Sequence, residues 1–126
     1  MIKKYHFDFC TLKVYSDYVL AVMNEGITVS PEHNDILIEI SKKHFSNKNF
    51  VYMTHRVNSY SVNPEVYFKT AQIANLSGFI VISNSPLQEH QTRIEKMFFN
   101  KPFQKFDTIE EAIIWKNVLL NEAKRK

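Results

Sequence analysis

The chain has 126 residues, 44% of them hydrophobic and 13% aromatic, which suits one globular domain burying roughly two-thirds of its unfolded surface and leaves no room for a second. Sixteen Lys and Arg against thirteen Asp and Glu give +3, and outside Lys3-Lys4 and Lys124-Arg125-Lys126 the cations are dispersed, so a dedicated nucleic-acid surface is not indicated. The opening MIKKYHFDFC lacks the apolar core of a signal peptide, no apolar run approaches the ~18 residues of a membrane helix, and the single cysteine, Cys10, lies between Phe9 and Leu12 as a buried thiol would. These features point to a reducing, cytoplasmic setting without stable membrane insertion.

Residues 5–15 and 18–24 are rich in aromatic and β-branched side chains and are separated by Ser16-Asp17, which predicts an opening hairpin. Ser30-Pro31-Glu32 then supplies a cap, a pre-set first residue and an acid for a helix over about 31–45, with Ile36, Leu37 and Ile40 at helical spacing. FVYMTH (50–55) reads as a short strand. Asn63-Pro64 caps a second helix whose Tyr67, Thr70, Ala71 and Ala74 share a face, with Val62 and Tyr67 as its staple. GFIVISN (78–84) is a nearly continuous apolar run, the pattern of a strand covered on both faces, and Ser85-Pro86 opens a third helix. On that helix Phe98 shares a face with Leu87, Gln91 and Ile94 and is expected in the core, whereas Phe99 is left open as a candidate surface patch. PFQKFD (102–107) is a last strand, and Thr108-Ile109-Glu110-Glu111 is a capping box for a final helix carrying Trp115. The order ββαβαβαβα predicts a single α/β domain over residues 1–126 with a mixed, mostly parallel sheet.

The strand–helix order, the stretch GFIVISNSPLQEHQTRIEKMFFNKPFQKFDTIEEAIIWK from Gly78 to Lys116, and the hairpin before NEGITVSPE resemble the small stand-alone SpoIIAA-like proteins of the STAS/Sec14-related group. The likeness covers nearly the whole chain, and its densest part is a packing pattern. It implies a SpoIIAA-like domain and a non-enzymatic role: partner binding, as in anti-sigma-factor antagonists phosphorylated on a serine between the third strand and second helix, or small-molecule binding, as in other branches. The phosphoacceptor turn of those antagonists reads Asp-Ser-Ser-Gly, whereas here the equivalent region is Asn58-Ser59-Tyr60-Ser61-Val62-Asn63-Pro64. Ser59 and Ser61 stand in the right neighbourhood without the acidic residue and the glycine.

The same loop follows the carboxyl end of a strand, where an open α/β sheet builds crevices. Strands 50–55 and 78–84 discharging together would bring His55, Arg56, Ser59, Tyr60 and Ser61 near Asn84 and Ser85 as a ligand- or partner-binding set. Arg56 suits a carboxylate or phosphate, and Tyr60 an apolar wall with a hydroxyl. An arginine placed so also pairs structurally, with backbone carbonyls or an acid such as Glu65. No G-x-S-x-G elbow is present, and His6, His33, His44, His55 and His90 form no H-x-H, H-x-x-x-H or H-E-x-x-H spacing. The sequence therefore points to no catalytic residue, metal or cofactor. It leaves two readings: a binding or regulatory module for a protein partner or small anionic ligand near the loop before the second helix, or a carrier of small apolar, lipid-like ligands, with a small enzyme as a lesser alternative and homodimerisation open.

Overall fold

The computed structural model describes residues 1–124. Its elements are β1 (Lys3–His6), β2 (Cys10–Val14), β3 (Tyr18–Met23), β4 (Thr28–Val29), a 3-10 turn (Pro31–His33), α1 (Asn34–His44), β5 (Phe50–His55), β6 (Ser61–Val62), α2 (Glu65–Ala71), β7 (Leu76–Ile82), α3 (Pro86–Lys96), β8 (Phe103–Phe106) and α4 (Ile109–Lys124). Six strands form one sheet in the order β1-β2-β3-β5-β7-β8, and β4 and β6 form a separate two-stranded ladder. β1, β2 and β3 pair antiparallel; β3, β5, β7 and β8 pair parallel. This is the mixed, mostly parallel α/β architecture expected of the sequence.

Crossovers of the usual hand that step one way across a sheet lay their helices on one face. α1 and α2 accordingly cover the face carrying Leu12, Val19, Tyr52 and Phe79, and α4 covers the opposite face through Ala112, Leu119 and Leu120 against Val51, Met53 and Ile80. Every residue of β7 but Ser77 is buried, as its apolar run requires. At the start of α4 the Thr108 hydroxyl oxygen accepts the Glu111 N–H at 3.2 Å, as the capping box predicts. Asn63 Oδ1 likewise accepts the Glu65 N–H, at 3.1 Å, at the start of α2.

Three expectations need correction. The run 5–15 is two strands, because the chain turns at Phe7-Asp8-Phe9, where the Phe7 N–H donates to the Cys10 carbonyl at 2.8 Å. Tyr5, Phe7 and Phe9 stack successively across that turn at 5.9 and 6.0 Å, so the period-two aromatic pattern runs through the break and conceals it. On α3 the faces are exchanged. Leu87 is 81% exposed and Ile94 43%, while Thr92 and Glu95 are buried. Phe99, 6% exposed, is the core residue, packed on Phe79 and Phe103, and Phe98 is half-buried beside Phe68. The reason is Arg56: a buried guanidinium just past β5 needs polar groups opposite it, and α3 turns its polar face inward to supply them. Ala74 also lies past the end of α2 and is exposed.

Candidate functional site: an apolar pocket closed by a polar wall

Side chains alternate along β5, so Tyr52 and Thr54 point to the α1–α2 side, as does Arg56 just past the strand, while Val51, Met53 and His55 point to the α4 side. The first three line a pocket whose floor continues with Cys10, Leu12, Met23 and Phe79 from neighbouring strands. Asn34, Ile36 and Leu37 of α1 and Val66, Tyr67 and Thr70 of α2 form its roof. It encloses about 550 Å³ of empty space, its open mouth included. The centres of water-sized atoms can occupy about 50 Å³ of it, several times the roughly 10–15 Å³ that one water needs.

The mouth is bordered by the β4–β6 ladder, which contributes Val29 and Val62, with Tyr60 immediately before it. Three backbone bonds hold this flap: Gly26 N–H to Ser59 O at 2.7 Å, Ser61 N–H to Ile27 O at 2.9 Å, and Asn63 N–H to Val29 O at 2.9 Å. Gly26 sits at φ 77°, a left-handed conformation that costs glycine little and other residues about 1–2 kcal/mol. The Asn58 amide donates to Met23 O at 2.8 Å and the Ser59 N–H to Glu25 Oε2 at 2.7 Å, tying the loop to the end of β3.

Arg56 closes one end of the pocket. Its Nη2 meets Glu95 Oε2 at 2.8 Å, its Nη1 donates to Gln88 Oε1 at 2.7 Å, and Tyr67 donates its hydroxyl hydrogen to the same Glu95 oxygen. Both charged side chains are about one-twentieth exposed, at 5% and 4%. Burial works against the arginine's charge, but Tyr60, Glu95 and Tyr67 outweigh it and raise its pKa, so it stays cationic. Burial also raises the hydroxyl pKa of Tyr52, Tyr60 and Tyr67, and pushes the Cys10 thiol up to about 12. All four are neutral near pH 7. The charge around the pocket is thus one buried cation cancelled by one buried anion.

In and beside that pair stand polar atoms with no partner. Thr54 Oγ1, Arg56 Nε and Asn34 Nδ2, on pocket-lining residues, and Glu95 Oε1, on the groove side, are buried without a hydrogen-bond partner at normal distance, although the Tyr60 hydroxyl stands close enough to Arg56 and Thr54 for both to offset part of the rise that burial gives its pKa. Buried polar atoms are nearly always paired, so three on the residues around one cavity call for water or another group to complete them. Asn34 is otherwise held, since its Oδ1 accepts the Thr70 hydroxyl at 2.6 Å.

Arg56, Tyr60 and Val62 also line a second, outer cleft together with Asn58, Ser59, Ser61, Gln88, Gln91 and Glu95. The Arg56 guanidinium lies 5.7 Å from the centre of the Tyr60 ring. These side chains form a wall with an apolar chamber on one side and a polar groove on the other.

Of the residues singled out from the sequence, Arg56, Tyr60, Ser59 and Ser61 are brought together around this wall, with Ser59 and Ser61 exposed on the groove side. Asn84 and Ser85 lie between β7 and α3, Ser85 as the N-cap, outside the lining of either pocket, and alternation carries His55 to the other face of the sheet. The acid that pairs with Arg56 is Glu95 rather than Glu65. Asn34, Thr54, Tyr67, Gln88 and Glu95 were not legible as site residues. Among the described residues, no group of three His, Cys, Asp or Glu is placed to hold a metal ion, and no helix is long and apolar enough to cross a membrane.

No family model matches the chain, and no curated protein matches it. Among solved structures it is similar to the 2.25 Å crystal structure of an uncharacterised protein of the DUF3478 family with a SpoIIAA-like fold from Shewanella loihica PV-4. The TM-score is 0.58 at 15% sequence identity, over 85% of this chain and 91% of that one. The chain has the SpoIIAA-like fold that its sequence resemblance implied. At this identity the likeness speaks for the fold alone.

Proposed function

We propose that the protein is a non-enzymatic binding module that takes a small molecule with an apolar body into the pocket between β5 and the α1–α2 pair. The observation that carries this reading is the set of unpartnered buried polar atoms on Asn34, Thr54 and Arg56 in an otherwise apolar lining. Apolar walls with a few convergent polar groups are the usual form of a small-molecule site. A catalytic role draws no comparable support: alternation separates His55 from the pocket, and His33, which lines it, stacks on Phe9 at 4.0 Å and accepts the Ser30 N–H on Nδ1 at 3.0 Å. Native mass spectrometry of protein freshly purified from its native host tests the reading. A retained small-molecule adduct, lost on denaturation, is expected; a spectrum of bare chain only speaks against it.

A second reading, recognition of a protein partner, is favoured by a different observation. Phe68, Leu87, Ile94 and Met97 are exposed, at 52%, 81%, 43% and 82%, on α2 and in and just after α3, beside the polar wall. Large apolar side chains left in water are the raw material of interaction surfaces. A partner captured by the wild-type chain and lost with Leu87→Ser/Met97→Ser, the fold being intact, supports that role. Equal capture by both proteins removes it.

A further inference from the structure

The charge arrangement bears on what the pocket takes, an inference resting on the small-molecule reading above. Arg56 is the pocket-lining cation, and Glu95 already neutralises it at 2.8 Å. A carboxylate entering the chamber would lose its hydration, at a cost of several kcal/mol, and find an arginine whose charge is spent. It would also feel Glu95 behind that arginine. A cation meets no better reception inside the chamber, because Glu95, the nearest carboxylate, lines the outer groove and not the chamber, and its Oε2 is held by Arg56 and Tyr67. On the residues that line the chamber the atoms without a partner are two N–H donors, Arg56 Nε and Asn34 Nδ2, and one hydroxyl, Thr54 Oγ1, which donates or accepts; the fourth, Glu95 Oε1, belongs to a residue of the outer groove.

We infer that the pocket selects an uncharged ligand: an apolar body carrying a carbonyl-type acceptor, such as a ketone, amide or ester, read by Arg56 Nε, Asn34 Nδ2 and Thr54 Oγ1. Such an oxygen has two lone pairs and no charge to strip of water, so it satisfies buried donors at the smallest desolvation cost. Aromatic walls from Phe9, Tyr52, Tyr60, Tyr67 and Phe79 favour a flat body. An anionic ligand, which an arginine after an apolar strand also suggests, would need the guanidinium free, and Glu95 occupies it at 2.8 Å.

The test uses the full chain and three probes of matched size: acetophenone, benzoate and ethylbenzene. Each is titrated at pH 7.5 into the wild type, Thr54→Val and Asn34→Leu, and followed by the methyl NMR signals of Leu12, Val29, Leu37 and Val66. Thr54→Val keeps the shape of the side chain. Asn34→Leu leaves the Thr70 hydroxyl its second acceptor, the Val66 carbonyl at 2.9 Å. Acetophenone is expected to bind the wild type most tightly and to lose roughly 3- to 10-fold in affinity in each variant, the size of one hydrogen bond, with ethylbenzene unchanged. Benzoate binding as tightly as acetophenone overturns the uncharged-ligand inference and leaves the small-molecule reading standing. So does ethylbenzene binding equally well, or acetophenone binding that neither variant weakens. If no probe shifts the pocket methyls of the wild type, the chamber holds only water, and both the inference and the reading beneath it fail.

Discussion

Arg56 at the end of β5 and Glu95 in the last turns of α3, 39 residues apart in the chain, meet at 2.8 Å with both side chains almost wholly out of water. The pair fastens the third helix to the sheet and forms the wall between the apolar chamber and the outer groove. Breaking a buried pair from one side leaves the other charge uncompensated, at a cost of about 3–5 kcal/mol. Arg56→Ala and Glu95→Leu are each expected to lower the urea midpoint by a corresponding amount. The double variant Arg56→Met/Glu95→Leu should be less destabilised than Glu95→Leu alone, since it leaves no orphaned charge. Urea titration of the four proteins measures this.

Burial also sets a pH dependence. The folded Cys10 thiol keeps its proton to about pH 12, whereas an unfolded cysteine releases it near ~8.5. Between those values the folded state binds more protons, so this contribution is complete below about pH 8.5 and is lost as pH rises toward 12. The loss approaches ~1.4 kcal/mol per pH unit for one group. Tyr52 and Tyr67, raised in the same direction by burial, add to it at higher pH. Denaturant melts from pH 8 to 10.5 should show stability falling with pH in the wild type and a shallower fall in Cys10→Ala.

Gly78, in β7, lies against α4. A Cβ built there stands 2.6 Å from Leu119 Cδ1 and 3.3 Å from the Pro102 carbonyl oxygen. Gly→Ala gains about 0.4–1 kcal/mol by restricting the unfolded chain, but overpacking a core costs about 1–3 kcal/mol. The clash is expected to win, and Gly78→Ala should melt below the wild type. Gly78→Ala/Leu119→Ala should be less destabilised than the sum of the two single variants, which calorimetry of all four proteins can check.

The loop serines are expected not to act as an obligatory phosphorylation switch. Ser59 and Ser61 are exposed, and the backbone of each is already engaged in holding the flap. Arg56, the cation that would receive a phosphate, is occupied by Glu95. Intact-mass analysis of protein isolated from its native host with phosphatases inhibited should show the unmodified chain. Stoichiometric phosphate on either serine, with binding altered in Ser59→Ala or Ser61→Ala, would reverse this view.

The strands with one strong signal were legible in the sequence. FVYMTH is β5 to the residue, and the caps at Asn63 and Thr108 act where their chemistry placed them. The failures share a cause, which is that local pattern does not report long-range partners. Phe98 and Ile94 fit an apolar stripe on α3, yet a single buried arginine on another element reversed the helix. Arg56 announced a need for an acid, and nothing local distinguishes Glu65 from Glu95. The pocket was hidden for the same reason. Its walls are ordinary core residues from separate elements, and only assembly reveals that Asn34 and Thr54 lack partners beside a space.

The central claim is that the chamber between β5 and the α1–α2 pair holds a small molecule bonded to the groups the fold leaves unsatisfied. A crystal structure of protein taken directly from its native host, at a resolution that orders water, tests it most directly. The account expects continuous density larger than water within hydrogen-bond distance of Thr54 Oγ1 and of Arg56 Nε or Asn34 Nδ2. Separate waters bridging those three atoms, with no other density in the chamber, would contradict it.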